Sequence, residues 1–301
     1  MKKNSKTSKK LAYEVITDKL IEMIEKKKVL PWHLPWKVNG EFCQTQNYKT
    51  KHTYRGINAF LTQLAVHSYG YSSPYFLTFN QATDLGGHVK KGESGLPVIY
   101  WNFIKKTEIN PAGESEEVSI PIAKYYTVFN VDQIEGIELN LPKPTEEVKH
   151  DPIKDCEKVL KNKANKPEII YGSNRACYAP LIDKITIPKI GQFDKVEEFY
   201  STLFHELVHS TGHKKRLNRV SVVDLCPFGT TNYGKEELIA EMGAAFLCGY
   251  CKIDNTTIDN SAAYLNSWLK TIKQTPKLLI EASGAAQKAV DYLLGVKKEE
   301  E

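Results

Sequence analysis

The sequence predicts an α+β protein of two domains, and three observations carry that prediction. Residues 1–138 mix short helical and β-rich runs and hold the positive charge of the chain. Residues 139–152 contain Pro142, Pro144 and Pro152 and read as a linker. Residues 153–301 place a short helix and paired strands ahead of long segments with helical periodicity. A chain of 301 residues, 41% hydrophobic and 26% charged, is long enough for two small domains or one large one, and its composition suits a soluble cytoplasmic protein. No apolar run approaches a membrane span, and the basic stretch Met1–Lys10 lacks an apolar signal core behind it. The six cysteines form no disulfide framework, and Cys248-Gly-Tyr-Cys251 reads as two buried thiols.

Taken in order, residues 13–25 carry apolar side chains at helical spacing and end in Lys26-Lys27-Lys28. Leu30-Pro-Trp-His-Leu-Pro-Trp-Lys37 holds two Pro-Trp pairs and reads as extended and stiff. Residues 57–66 read as a helix, 74–79 as a short strand or buried turn, and 86–95 as a basic, turn-rich loop. That loop does not match a phosphate-binding loop, because no Gly-Lys-Ser/Thr opens a helix. A strand is expected over 96–103, a polar hairpin tip or disordered insert over 107–119, and an alternating strand over 123–131. Beyond the linker come a helix near 153–162, strands at 169–171 and within 176–187, helices over 199–209 and 233–247, and one or two closing helices in 256–294.

The helix over 199–209 contains His205-Glu-Leu-Val-His209. Residues four apart on a helix lie one turn above each other, so both imidazoles can aim at one point, as zinc requires. Glu206 is placed to act as general base toward a water at the metal. Leu203, Phe204, Leu207 and Val208 bury this helix, where an unpartnered polar trio would be costly. Such a site needs a third protein ligand. His-Glu-x-x-His followed by Glu237-x-x-Ala-Glu241 on a later helix resembles the gluzincin zinc peptidases, and that resemblance implies Glu237 as ligand and Glu241 as the acid that orients a ligand histidine. Gluzincins usually carry Asp at the second position, so Glu241 stays open as an alternative ligand. His213 is another, although Gly212 is expected to end the helix and turn His213 away, which favours a helix C-terminal cation or outer partner. In zinc peptidases an edge strand placed like 176–187 commonly holds an extended substrate by strand addition. Tyr233 is read as an oxyanion partner from its proximity in sequence.

The net charge of +5 conceals an asymmetry: residues 1–107 hold 17 Lys+Arg against 7 Asp+Glu, or +10, which leaves −5 for the rest. A basic first half suits contact with a polyanion. Tyr48-Lys-Thr-Lys-His-Thr-Tyr-Arg-Gly-Ile-Asn58 interleaves cations with aromatics, a mixture suited to single-stranded DNA, whose phosphates follow the cations while its bases stack on rings. Trp32 and Trp36 are either core anchors or stacking platforms.

The chain resembles the ArdC-type antirestriction family of mobile genetic elements. The carrying motifs are Pro31-Trp32…Pro35-Trp36, Tyr54-Arg-Gly-Ile-Asn58, Thr78-Phe-Asn-Gln-Ala82, Gly87-His-Val-Lys-Lys-Gly-Glu93, Tyr126-Thr-Val-Phe-Asn130, His205–His213, Arg216-Leu-Asn218 and Glu236–Glu241. The resemblance implies a small mixed α/β domain that binds single-stranded DNA, a zincin-like metallopeptidase domain, and a setting in conjugation. The DNA-binding candidates are then Trp32, Trp36, Lys37, Tyr54, Arg55, Asn58, Lys90 and Lys91. The expected metal is Zn2+, with Mn2+ or Co2+ possible, and the expected partners are single-stranded DNA and an unidentified protein substrate, with no membrane. The alternative is a protein that coats single strands without proteolysis, its metal structural or vestigial.

Overall fold

The computed structural model describes residues 10–34, 36–38, 41–109, 115–139, 152–161, 166–224, 231–255 and 262–296. Helix α1 (Ala12–Lys27) buries Ile16, Leu20, Met23 and Ile24 on one face and stops where Lys28 turns left-handed. The Pro-Trp segment is not extended throughout: Pro31–His33 forms a 3-10 turn, with proline at its first position, where a missing N–H is harmless. Strands β1 (Lys37–Val38), β2 (Glu41–Phe42) and β3 (Gln46–Asn47) follow, then α2 (Ile57–Tyr69), β4 (Tyr75–Thr78), α3 (Phe79–Asp84) and β5 (His88–Val89). The half closes with β6 (Leu96–Ile109), β7 (Ser115–Asn130) and β8 (Ile134–Glu135).

A four-stranded sheet runs in the order β3-β4-β7-β6, with β3 and β4 parallel and the other pairs antiparallel. The segment expected as a polar hairpin tip or disordered insert is a hairpin whose strands run further than expected: β6 and β7 stay in register out to Ile109 opposite Ser115, and the tip at 110–114 lies outside the described residues. Two conspicuous sequence motifs turn out to be capping boxes. Thr78 accepts from the Gln81 backbone N–H while Gln81 accepts from the Thr78 N–H, and Asn130 and Gln133 do the same for the turn after β7.

In the second half, α4 (Pro152–Lys161) precedes a sheet of β9 (Glu168–Tyr171), β10 (Cys177–Ala179) and β11 (Lys184–Ile187), ordered β10-β11-β9 with β10 at an edge. Helices α5 (Val196–Thr211), α6 (Val220–Val223), α7 (Thr231–Cys251), α8 (Ala262–Gln274) and α9 (Leu278–Leu294) complete the chain. The Pro-rich segment read as a linker falls mostly at 140–151, outside the described residues. No helix among the described residues is long and apolar enough to cross a membrane.

One hydrophobic cluster runs through both halves. Trp32 is 1% exposed and Trp36 3%. Trp36 sits 5.7 Å from both Phe60 and Phe246, which stack on each other at 4.5 Å, and Trp32 meets Phe60 and Trp268 edge-on. Helix α7 admits this wedge because of Gly249, where a Cβ would come within 2.6 Å of the Trp36 ring.

Candidate metal centre

Helix α5 packs on α7 with unusually close approach at Gly243, where a Cβ would lie 2.7 Å from Val208. That approach brings Glu237 to His205 and His209. The two imidazole Nε2 atoms are 3.1 Å apart, and the Glu237 carboxylate oxygens lie 3.5 Å from His205 Nε2 and 3.6 Å from His209 Nε2. A tetrahedral ion with bonds of about 2.0–2.2 Å holds its donors roughly 3.3–3.6 Å apart. Two imidazoles and a carboxylate at these separations fit a divalent cation, and these three residues are the cluster among the described residues with such spacing. Burial opposes charge on His209, but its hydrogen bonds to Glu236 and Glu237 outweigh that and lift its pKa to about 10. The carboxylates thus demand positive charge between them.

Glu206 lines the same cavity of about 460 Å³, one turn face away from the imidazoles. Its Oε2 accepts the backbone N–H of Tyr178 at 2.7 Å, so the edge strand β10 fixes the carboxylate from across the cleft.

The outer partner of the cluster is not the residue expected. Glu241 lies one turn beyond Glu237 and is buried, and its Oε2 accepts the indole N–H of Trp32 at 2.8 Å. The histidine is met by Glu236, whose Oε1 lies 3.3 Å from His209 Nδ1. Glu236 is held in turn by Arg219 (2.5 and 3.0 Å) and by the Ser221 hydroxyl at 2.6 Å. Burial raises the Glu236 pKa, yet the bonds from His209 and Arg219 prevail and draw it down to about 2. Arg219 also donates to Thr211 Oγ1 and to the Val208 carbonyl, tying this assembly to the end of α5. Sequence reasoning missed Glu236 and Arg219; the consecutive acids Glu236-Glu237 were the available signal.

His213 does not join the cluster. After Gly212 caps α5 it faces Asp183 at 3.9 Å, and it lines a separate cavity with Leu181 and Val223. Burial holds its pKa below the usual histidine value against the pull of Asp183, with Arg216 and neighbouring lysines adding to the effect of burial. Arg216 joins Asp183, the Tyr178 hydroxyl and the Ser210 carbonyl, bracing β10 against α5. The Tyr233 side chain lies outside the described residues.

The DNA-binding candidates are scattered. Trp32 and Trp36 are closed off in the core and cannot stack on bases. Asn58 spends its amide on the backbone of Ile99, donating at 2.7 Å and accepting at 2.9 Å along strand β6. Arg55 pairs with Asp291 at 2.6 Å and Lys37 with Asp254 at 2.8 Å, both bridging to the second half. Tyr54 packs half-buried on Phe76, and burial pushes its hydroxyl up to about 12. Lys90 donates to the Asp132 carbonyl, while Lys91 is exposed. Exposed aromatics not nominated from the sequence, Tyr100, Trp101, Phe103, Tyr125 and Tyr126, lie on the β6–β7 hairpin.

Two family models match. The N-terminal domain of anti-restriction factor ArdC covers residues 10–129, and a zincin-like metallopeptidase covers residues 155–285. Two DNA primases TraC of Escherichia coli are 33% and 32% identical over 97% of this chain, which spans only 20% and 28% of their lengths. Protein y4eC of Sinorhizobium fredii is 28% identical, with 93% of this chain and 91% of that protein covered. The crystal structure of the antirestriction protein ArdC from the R388 plasmid is similar in its metal-free form (TM-score 0.70, 93% of this chain and 96% of that one) and in its Mn(II)-bound form (TM-score 0.72, 94% and 97%), with 34% identity in both. With both halves matched in order, this chain belongs to the ArdC family of antirestriction proteins, an N-terminal ArdC domain followed by a zincin-like domain.

Proposed function

We propose that this protein binds single-stranded DNA through its N-terminal half and hydrolyses peptide bonds at a divalent-metal centre in its C-terminal half. The observation that carries the reading is Glu206: a carboxylate aimed into the cavity beside His205, His209 and Glu237, with one oxygen fixed by the Tyr178 N–H. A purely structural metal site has no use for such a base. A divalent ion held by His205, His209 and Glu237, for which zinc is our first choice and manganese, bound in one structure of the R388 relative, the second, would supply Lewis acidity and lower the pKa of water. Glu206 takes the proton of the attacking water and passes it to the leaving amine. Glu236 holds His209 by Nδ1, leaving Nε2 directed at the cluster. The edge strand β10 offers backbone groups to an extended peptide. For DNA, the supporting facts are the +10 charge of residues 1–107 and the exposed aromatics of the same half.

The test is a paired assay of metal content and cleavage of a mixed protein panel, with and without single-stranded DNA. Cleavage that requires the metal and rises with DNA supports the reading. Salt-sensitive DNA binding that survives chelation, with no cleavage, favours the non-proteolytic coat protein. His205→Ala is expected to lose the metal and, with it, any metal-dependent rise in melting temperature. At a hundredfold excess over Kd that binding is worth about 2.7 kcal/mol, so equal metal-induced shifts in wild type and variant would remove His205 from the ligand set. Glu236→Ala is expected to weaken metal affinity about 10–100-fold, read by chelator competition; unchanged affinity would leave Glu236 a purely structural partner of Arg219.

A further inference from the structure

Between α1, α2 and the loop that leads into β6 lies a cavity of about 230 Å³, remote from the metal cluster. Its walls are aromatic: Tyr69 and Tyr71, with ring centroids 5.6 Å apart, and Phe76, which meets Tyr71 edge-on at 6.4 Å. Tyr69 is 42% exposed and stands at the open side, with the Lys26 ammonium 5.8 Å from its ring. Lys19 lines the cavity, and Lys26, Lys27 and Lys28 continue the exposed basic end of α1 beyond it. Another part of the lining is polar, with Gln133 buried and Glu93 exposed. Gln133, 4% exposed, donates from Nε2 to Glu93 Oε2 at 2.7 Å and to the Ser94 carbonyl at 3.0 Å, while its Oε1 accepts the Asn130 N–H. The Glu93 carboxylate is thereby held at the cavity by one oxygen. Gly92 turns the loop at φ +91, and a Cβ there would meet nothing within 4 Å, so that side of the loop is open.

We infer that this cavity receives one base of single-stranded DNA, a base bearing an exocyclic amino group, with its phosphate outside against the α1 lysines. The inference rests on the DNA reading above and names a site for it. Small-molecule pockets usually run to about 300–1,000 Å³, so this one suits a planar ring and not a whole nucleotide. Tyrosine faces supply sequence-tolerant stacking. Glu93 adds discrimination, because a carboxylate accepts from the cytosine amino group and repels the carbonyls of thymine. The basic helix end outside the aromatic walls matches the order of base and phosphate along a strand.

The experiment uses the full chain and labelled oligo-dC and oligo-dT of equal length, read by anisotropy at fixed salt, with photocrosslinking of an oligomer carrying 5-iododeoxycytidine. Wild type is expected to prefer oligo-dC and to crosslink at Tyr69 or Tyr71. Tyr71→Ala and Tyr69→Ala are expected to lower oligo-dC affinity about tenfold; Tyr71→Phe keeps the affinity, and Glu93→Gln erases the preference over oligo-dT. Wild type that binds both oligomers equally, crosslinks outside the cavity, or matches Tyr69→Ala and Tyr71→Ala in affinity overturns the site and leaves the DNA reading standing. Wild type that binds neither oligomer overturns both.

Discussion

Glu206→Gln is expected to lower peptide turnover by about 10²- to 10⁴-fold while metal content stays at the wild-type level. Glutamine has nearly the same shape, and its amide oxygen can still accept the Tyr178 N–H that positions the carboxylate at 2.7 Å. What it loses is basicity: an amide cannot take the proton of the attacking water. His205, His209 and Glu237 are untouched, so ligand loss and base loss separate cleanly when turnover and bound metal are measured on one preparation. Wild-type turnover in the variant would remove Glu206 from the mechanism and leave β10 holding an ordinary buried carboxylate.

Trp32→Ala is expected to destabilise the protein by about 3–5 kcal/mol, read by chemical denaturation. The indole is 1% exposed among Phe60 and Trp268, and its truncation opens a cavity where the two halves meet. It also removes the N–H that Glu241 accepts at 2.8 Å, a bond to a buried carboxylate worth roughly 1.5–3 kcal/mol of the total. Trp32→Phe recovers much of the packing and none of that bond, so its loss should fall well short of the alanine variant. A loss below about 1 kcal/mol for Trp32→Ala would mean that the ring is not the wedge described above.

How legible each feature was follows from how local its physics is. Helix α5 and the pair His205 and His209 could be read directly, because helical period and ligand spacing are both set within one turn. Assigning roles to Glu237 and Glu241 was harder, and Glu236 was missed, since the outcome depends on how α7 is rotated against α5. The close approach at Gly243 sets that rotation, which no window of sequence reveals. Neither does a window pair Trp32 with an acid 209 residues away. The outer half of the β6–β7 hairpin reads from sequence only as hairpin tip or disordered insert, for a different reason. From Phe103 to Ile109 strand β6 is exposed on both faces, so no core imposes there the apolar–polar alternation by which a strand is recognised. The capping boxes show the converse: Thr78 and Gln81, and Asn130 at the end of the Tyr126–Asn130 motif with Gln133 beyond it, serve backbone geometry.

The Trp wedge has an evolutionary corollary. Had each half closed its own core, recombination could have parted the N-terminal ArdC domain from the zincin-like domain and spread them separately. Here Trp32 and Trp36, carried by the first half, complete the packing of α7, which bears Glu237. A descendant that kept only residues 155–285 would expose the face around Phe246 and Gly249, and one that kept only 10–129 would strand two tryptophans in water. The two halves therefore share one core, and the E. coli primases match 97% of this chain, both halves included, within proteins several times its length.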